Sequence, residues 1–209
     1  MNRASHLHDP ARRRHALTLL SLAAIALVPK ARADSSGMSI GGVSFAPRAE
    51  VGGQQLWLNG VGMRASSVIK GFAAALYLPE PARSGEQALR APGAKRLRMR
   101  MMLDVPTEVF VHAIHKYMQR NLPEPQQAAL NDRLSTLDAR LRALGQVADG
   151  DVIDLDFVPA SGLLIAINGR TRVAPIAGAD LYEAVMQVFL GERPVDAKLK
   201  AGLLGTNAG

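Results

Sequence analysis

Residues 71–78, GFAAALYL, contain no polar alternation. With the three residues before them they read as one strand with two apolar faces. Phe72, Ala74, Leu76 and Leu78 point one way, and Gly71, Ala73, Ala75 and Tyr77 point the other. A strand that is apolar on both sides must be covered on both sides. The Gly71–Ala73–Ala75 row is narrow, so it leaves space for either a closely packed helix or a ligand.

Two other blocks alternate strictly. In KRLRMRMML, Arg96, Arg98 and Arg100 oppose Leu97, Met99, Met101 and Leu103. In GDVIDLDFV, Asp154 and Asp156 oppose Ile153, Leu155 and Phe157. Both polar rows are expected to be solvated, and on neighbouring strands they would make cross-strand partners. Asn59-Gly60 and Asn168-Gly169, each between apolar residues, predict type I′ hairpins. Helical periodicity covers 106–121, 126–144 and 179–190, with a short helix over 195–204. In the first of these, Val109, Phe110, Ala113, Ile114 and Tyr117 form the apolar side, and His112 and His115 fall opposite, exposed and unliganded. Hairpin-rich strands with segregated helices indicate an α+β fold.

Hydrophobic residues make up 48% of the 209, ample for one core. The formal charge of +7 suggests nucleic acid until residues 1–33 are considered. Arg12, Arg13 and Arg14, an apolar run over 16–28 and Ala31-Arg32-Ala33 have the order of a signal peptide. Cleavage after Ala33 would remove six basic residues and one acid, leaving 19 against 17 and a net charge of +2. That balance offers nothing to a nucleic acid. The expected location is periplasmic or secreted, by a general secretory rather than a twin-arginine signal, without stable membrane insertion after cleavage. Residues 34–49 are then an N-terminal segment with one short strand over 40–45, and 50–205 the principal domain. There is no cysteine, which excludes disulfides and thiol chemistry.

The region after 33 has no phosphate loop, no GxGxxG turn, no HExxH and no GxSxG elbow. Neither cofactor nor metal is expected. What is left is Arg64, beside a strand buried on both faces. An arginine turned towards an apolar hollow requires an anion, either a ligand carboxylate or a developing oxyanion.

LNGVGMR followed by GFAAALYLP, then KRLRMRMMLDVP, GDVIDLDFVPASGLLIAINGR and LYEAVMQVFLGERPVDAKLKAGLLG resemble, in this order, the bacterial branch of the chalcone isomerase-like family. The resemblance implies an open-faced β-sandwich, a large antiparallel sheet with helices on one face and a ligand cleft between them. It also implies one of two activities: intramolecular closure of chalcones to flavanones, or fatty-acid binding without catalysis. In both, an arginine matching Arg64 meets the ligand's negative charge. This sequence departs from the family where hydroxyls are needed. Phe72 stands near the position of a threonine or tyrosine, and Thr107 and Glu108 stand where the isomerases carry a catalytic tyrosine.

These departures favour a non-catalytic binder of an amphipathic carboxylate such as a fatty acid. Arg64, Phe72, Ala73, Ala75, Tyr77, Met99, Met101, Leu103, Phe110 and Ile114 are the expected ligand-binding residues. The alternatives are an isomerase acting on a phenolic or other conjugated ketone, with Arg64 as oxyanion stabiliser and only Tyr77 or Tyr117 to move protons, and a protein-interaction module without a cavity.

Overall fold

The computed structural model describes residues 37–65 and 70–207, and the expected signal peptide lies outside them. In chain order the strands β1 (Met38–Ile40), β2 (Val43–Phe45), β3 (Arg48–Val51), β4 (Gln54–Ala65) and β5 (Lys70–Leu78) come first. Helix α1 (Gly85–Arg90), β6 (Lys95–Met101), β7 (Val105–Pro106), α2 (Thr107–Asn121), α3 (Glu124–Ala128) and α4 (Asn131–Arg142) follow. The chain continues through β8 (Gln146–Val147), β9 (Val152–Val158), β10 (Gly162–Ile167), β11 (Arg170–Ile176), α5 (Ala179–Leu190) and α6 (Ala197–Leu203).

Seven of these strands form one antiparallel sheet in the order β11-β10-β9-β6-β5-β4-β3, with helices on one face, an α+β architecture. The doubly apolar strand β5 is central and its two faces enter different cores. Phe72, Ala74, Leu76 and Leu78 join the core beneath the helices, together with Leu97, Met99 and Met101 of β6. Ala73, Ala75 and Tyr77 join a smaller cluster on the other face with Phe45, Leu56 and Leu58. The Gly-Ala-Ala row therefore seats neither a helix nor a ligand in the helix-covered cleft. The sheet curls over it, bringing Gly52 at the β3–β4 turn so close to β9 that an added Cβ would stand 3.0 Å from Val158 Cγ1.

Two expected strand features come out differently. Over 40–45 there are two short strands, not one, because Gly41 and Gly42 both take positive φ and turn the chain between β1 and β2. Asn59-Gly60 is not a hairpin turn. Strand β4 runs straight through it with a bulge at Asn59, since Leu58 pairs with Tyr77 and Gly60 with Leu76. The Asn59 side chain leaves the ladder to accept from Ala82 N at 2.8 Å and to donate to Leu203 O at 2.8 Å. Gly60 and Gly62 lie under α6, with no room for a side chain between strand and helix. At Asn168-Gly169 the expected turn is present, with φ of 52° and 75° and Ile167 paired with Arg170.

The polar rows are solvated only at Arg100, which is exposed. Arg96 faces Asp156 and Arg98 faces Asp154 across β6 and β9, each as a two-pronged pair, and both aspartates are buried inside the curl.

Candidate functional site

Arg64 lies near the end of β4 opposite Phe72, so it emerges on the helix-covered face. Its side chain is exposed, at the mouth of the cleft and not inside it. The guanidinium Nη1 donates to Val195 O, between α5 and α6, at 2.9 Å. Among the described residues no carboxylate pairs with it. A backbone carbonyl fixes the group in place while leaving its charge uncompensated.

Two hollows lie beside it. The outer one, about 290 Å³, runs between Arg64 and Phe72 on the sheet, Val109, His112, Ala113, Lys116 and Tyr117 on α2, and Val188 and Phe189 on α5. The inner one, about 60 Å³, is enclosed by Met99 of β6, Ile153 and Leu155 of β9, Ile165 of β10, Ile114 of α2, Leu141 of α4 and Val185 of α5. Phe110, Ala113, Val188 and Phe189 belong to the walls of both. Thr107 is the one polar side chain among the described residues that line the inner hollow, and its hydroxyl is satisfied by donating to Gly145 O at 3.2 Å. Such a space stays dry and suits hydrocarbon. Phe72 and Phe189 meet edge to face with centroids 6.4 Å apart at the partition.

The expected site residues divide accordingly. Arg64, Phe72, Met99, Phe110 and Ile114 line the two hollows. Met101 is buried in the same core opposite Phe72 but contributes to neither wall, and Leu103 is half-buried beyond the end of β6. Ala73, Ala75 and Tyr77 are on the wrong side of the sheet, a correction that follows from strand alternation itself: residues paired with Arg98 and Arg100 cannot share a face with Met99. Tyr77 is 0% exposed, donates to Ala46 O at 3.0 Å, and burial raises its phenol above the usual range. It is no proton carrier for the cleft. Tyr117, half-buried, is the cleft's phenol.

Helix α2 is also rotated from expectation. Thr107, Val111, Ile114 and Met118 are its buried residues, while Val109 is 53% exposed at the cleft mouth. His115 is not free: its Nε2 lies 2.7 Å from Asp138 Oδ2 on α4. His112 stays exposed, 3.3 Å from Glu108. Among the described residues no three metal-ligating side chains gather. The contributions of α4, α5, β9 and β10 to the inner wall were not foreseen. Their one sequence signal was apolar spacing, which marks burial without telling a cavity wall from a packed core.

The family described as chalcone isomerase-like matches residues 37–205 of the chain. Among solved structures, that of an Arabidopsis thaliana fatty-acid binding protein superposes with a TM-score of 0.63 at 15% identity, covering 80% of this chain and 95% of the other. No functionally curated protein matches in sequence.

Proposed function

This chain belongs to the chalcone isomerase-like family, and from that premise we propose that it binds an amphipathic carboxylate, such as a fatty acid, without transforming it. One observation carries the reading: a fixed cation with no acidic partner among the described residues stands at the mouth of an apolar cleft. The carboxylate would accept from the Arg64 guanidinium, the first methylenes would lie along Phe72 and Tyr117, and the tail would pass Phe110 and Phe189 into the inner hollow. The same shape of ligand is named in the Arabidopsis protein with the similar fold. Ala73, Ala75 and Tyr77 have no part in this site. The proposal also has the protein exported, on the strength of the signal pattern in residues 1–33.

Native mass spectrometry of the purified protein should find a bound acyl carboxylate, and added fatty acid should raise the melting temperature. Arg64→Ala should weaken both effects. Protein that is always empty and indifferent to fatty acids would end this reading. Turnover of a chalcone above the buffer rate would replace it with the isomerase, for which Arg64 would stabilise the oxyanion.

A further inference from the structure

Val109 and Met38 are the two large apolar side chains that stand exposed among the described residues, and Val109 is the more exposed of them. Its position is not arbitrary, since it lies on the lip of the Arg64 cleft. Along α2, Val109, His112, Lys116 and Arg120 recur at intervals of three and four residues and so share one outward face. Tyr117 lies beside that face with two cations near its ring, Lys116 Nζ 5.8 Å and Arg120 Cζ 5.4 Å from the ring centre. Among the described residues no acidic side chain lines the cleft mouth. The nearest acid on the helix, Glu108, is held by Arg142 at 2.8 Å. An apolar tip, a half-buried tyrosine and flexible cations together make a surface that sits at a lipid–water boundary: the apolar and aromatic parts enter, and the charges stay with the headgroups.

We infer that the outward face of α2 docks the cleft mouth onto anionic bilayers, so that an acyl ligand passes between membrane and cleft without crossing water. The inference rests on the proposed ligand class and adds its source. The contact is superficial, because no described helix is long and apolar enough to span a membrane. A carboxylate ligand held by Arg64 keeps its polar end at this same lip, so its headgroup would leave one interface and remain in another.

The test is flotation of ligand-free protein with vesicles of phosphatidylcholine alone or mixed with phosphatidylglycerol. The protein should float with the mixed vesicles, stay behind with phosphatidylcholine, and be released at about 1 M salt, where screening reaches a few ångströms. Arg120→Glu should weaken flotation at least about fivefold, as expected for one basic residue at an anionic surface. Val109→Asp should weaken it comparably. Both positions are exposed, and a melting curve for each variant confirms its fold. Equal binding to both vesicle types, no binding to either, or wild-type flotation by both variants would overturn the inference. Fatty-acid affinity of the unmodified protein, measured without vesicles, is a separate readout. Vesicle binding without fatty-acid binding would sink the cleft reading and leave the docking surface standing, and the opposite result would do the reverse.

Discussion

Arg96 grips Asp156 across β6 and β9 with two hydrogen bonds, Nε to Oδ1 and Nη2 to Oδ2, each 2.6 Å long. The arginine side chain is 14% exposed and the aspartate 5%. Burial pushes the Asp156 carboxyl above its usual range even with the guanidinium beside it, and the ion pair then holds Arg96 more firmly charged than usual. The contact with Arg96 thus repays only part of what desolvation costs the carboxylate. Asp156→Leu, which strands a buried guanidinium, should cost about 3 kcal/mol. Replacing both partners by apolar residues, Arg96→Met with Asp156→Leu, should cost far less than the single change. Urea unfolding of the four proteins of the cycle checks this, and an additive result would mean that the two groups do not interact.

A second prediction concerns close approach. Helix α6 crosses β4 with Gly62 against Leu199, where an added Cβ would stand 2.5 Å from the Leu199 carbonyl oxygen, and with Gly202 against Val61 and Gly62. Backbone on both sides leaves nothing that can rotate away. Gly62→Ala should therefore destabilise by about 3 kcal/mol, at the upper end of overpacking costs. Gly53→Ala is the control, because that glycine has open space around it and its cost is confined to positive φ. Equal melting temperatures for wild type and Gly62→Ala would show that the strand and helix can separate freely.

How far the fold could be read from residues varies with what each pattern encodes. Alternation in β6 and β9 assigned every side chain to a face, and the Arg–Asp register followed. What alternation cannot encode is the curl that covers the polar face, which depends on how β3 and β4 bend over the sheet. Asn59-Gly60 is the instructive case. A two-residue turn and a one-residue bulge both place Leu58 and Val61 on the same face, so the flanking apolar pattern does not distinguish them. At the site, Arg64 was singled out by its place beside apolar strands together with the family resemblance, and the structure puts it at the mouth of the cleft, not inside it. The inner wall was not legible, because it is assembled from β6, α2, α4, β8, β9, β10 and α5, and each alone reads as ordinary core.

Tyr182 on α5 is fully enclosed, with its ring 5.3 Å from Phe157 and its hydroxyl without a partner among the described residues. Burial drives its phenol well above the usual range. A buried unpaired hydroxyl costs about 1–3 kcal/mol. Tyr182→Phe removes the oxygen and keeps the ring, so it should raise stability by about 1 kcal/mol in denaturant unfolding. A loss of stability instead would reveal a hydrogen bond to that oxygen.

Acid stability should depend in part on Arg133, which ties α4 to the start of α5 by bonds of 2.6 and 2.7 Å to Asp180. The hydrogen bond from Arg133 holds the Asp180 carboxyl below its ordinary value. A depressed carboxyl contributes stability above its unfolded pKa of about 3.9 and loses it as pH falls through the folded value. The pair is exposed enough that about 0.5 kcal/mol is the expected size. Wild type should therefore melt above Arg133→Gln at pH 6, with the gap closing towards pH 2. A gap that persists at pH 2 would assign the effect to packing of the arginine stem.

The partition between the two hollows should set which acyl chains fit. Ala113, one turn from Phe110 on α2, is the smallest of the residues common to both walls, which also include Val188 and Phe189 of α5. Each methylene buried beyond that point is worth about 0.8 kcal/mol, roughly fourfold in affinity. Affinity in wild type should accordingly climb with chain length until the inner hollow is full and then level off. Ala113→Phe fills the passage, so its affinities should level off several carbons earlier while short chains bind as before. Arg64→Ala acts at the other end. It should weaken every chain length by the same factor, about tenfold or more for a charge-assisted hydrogen bond, and leave the slope unchanged. Calorimetric titration of a saturated series against the three proteins separates the two effects. If Ala113→Phe instead lowers all affinities in parallel, the tail does not enter the inner hollow and lies wholly along the outer groove.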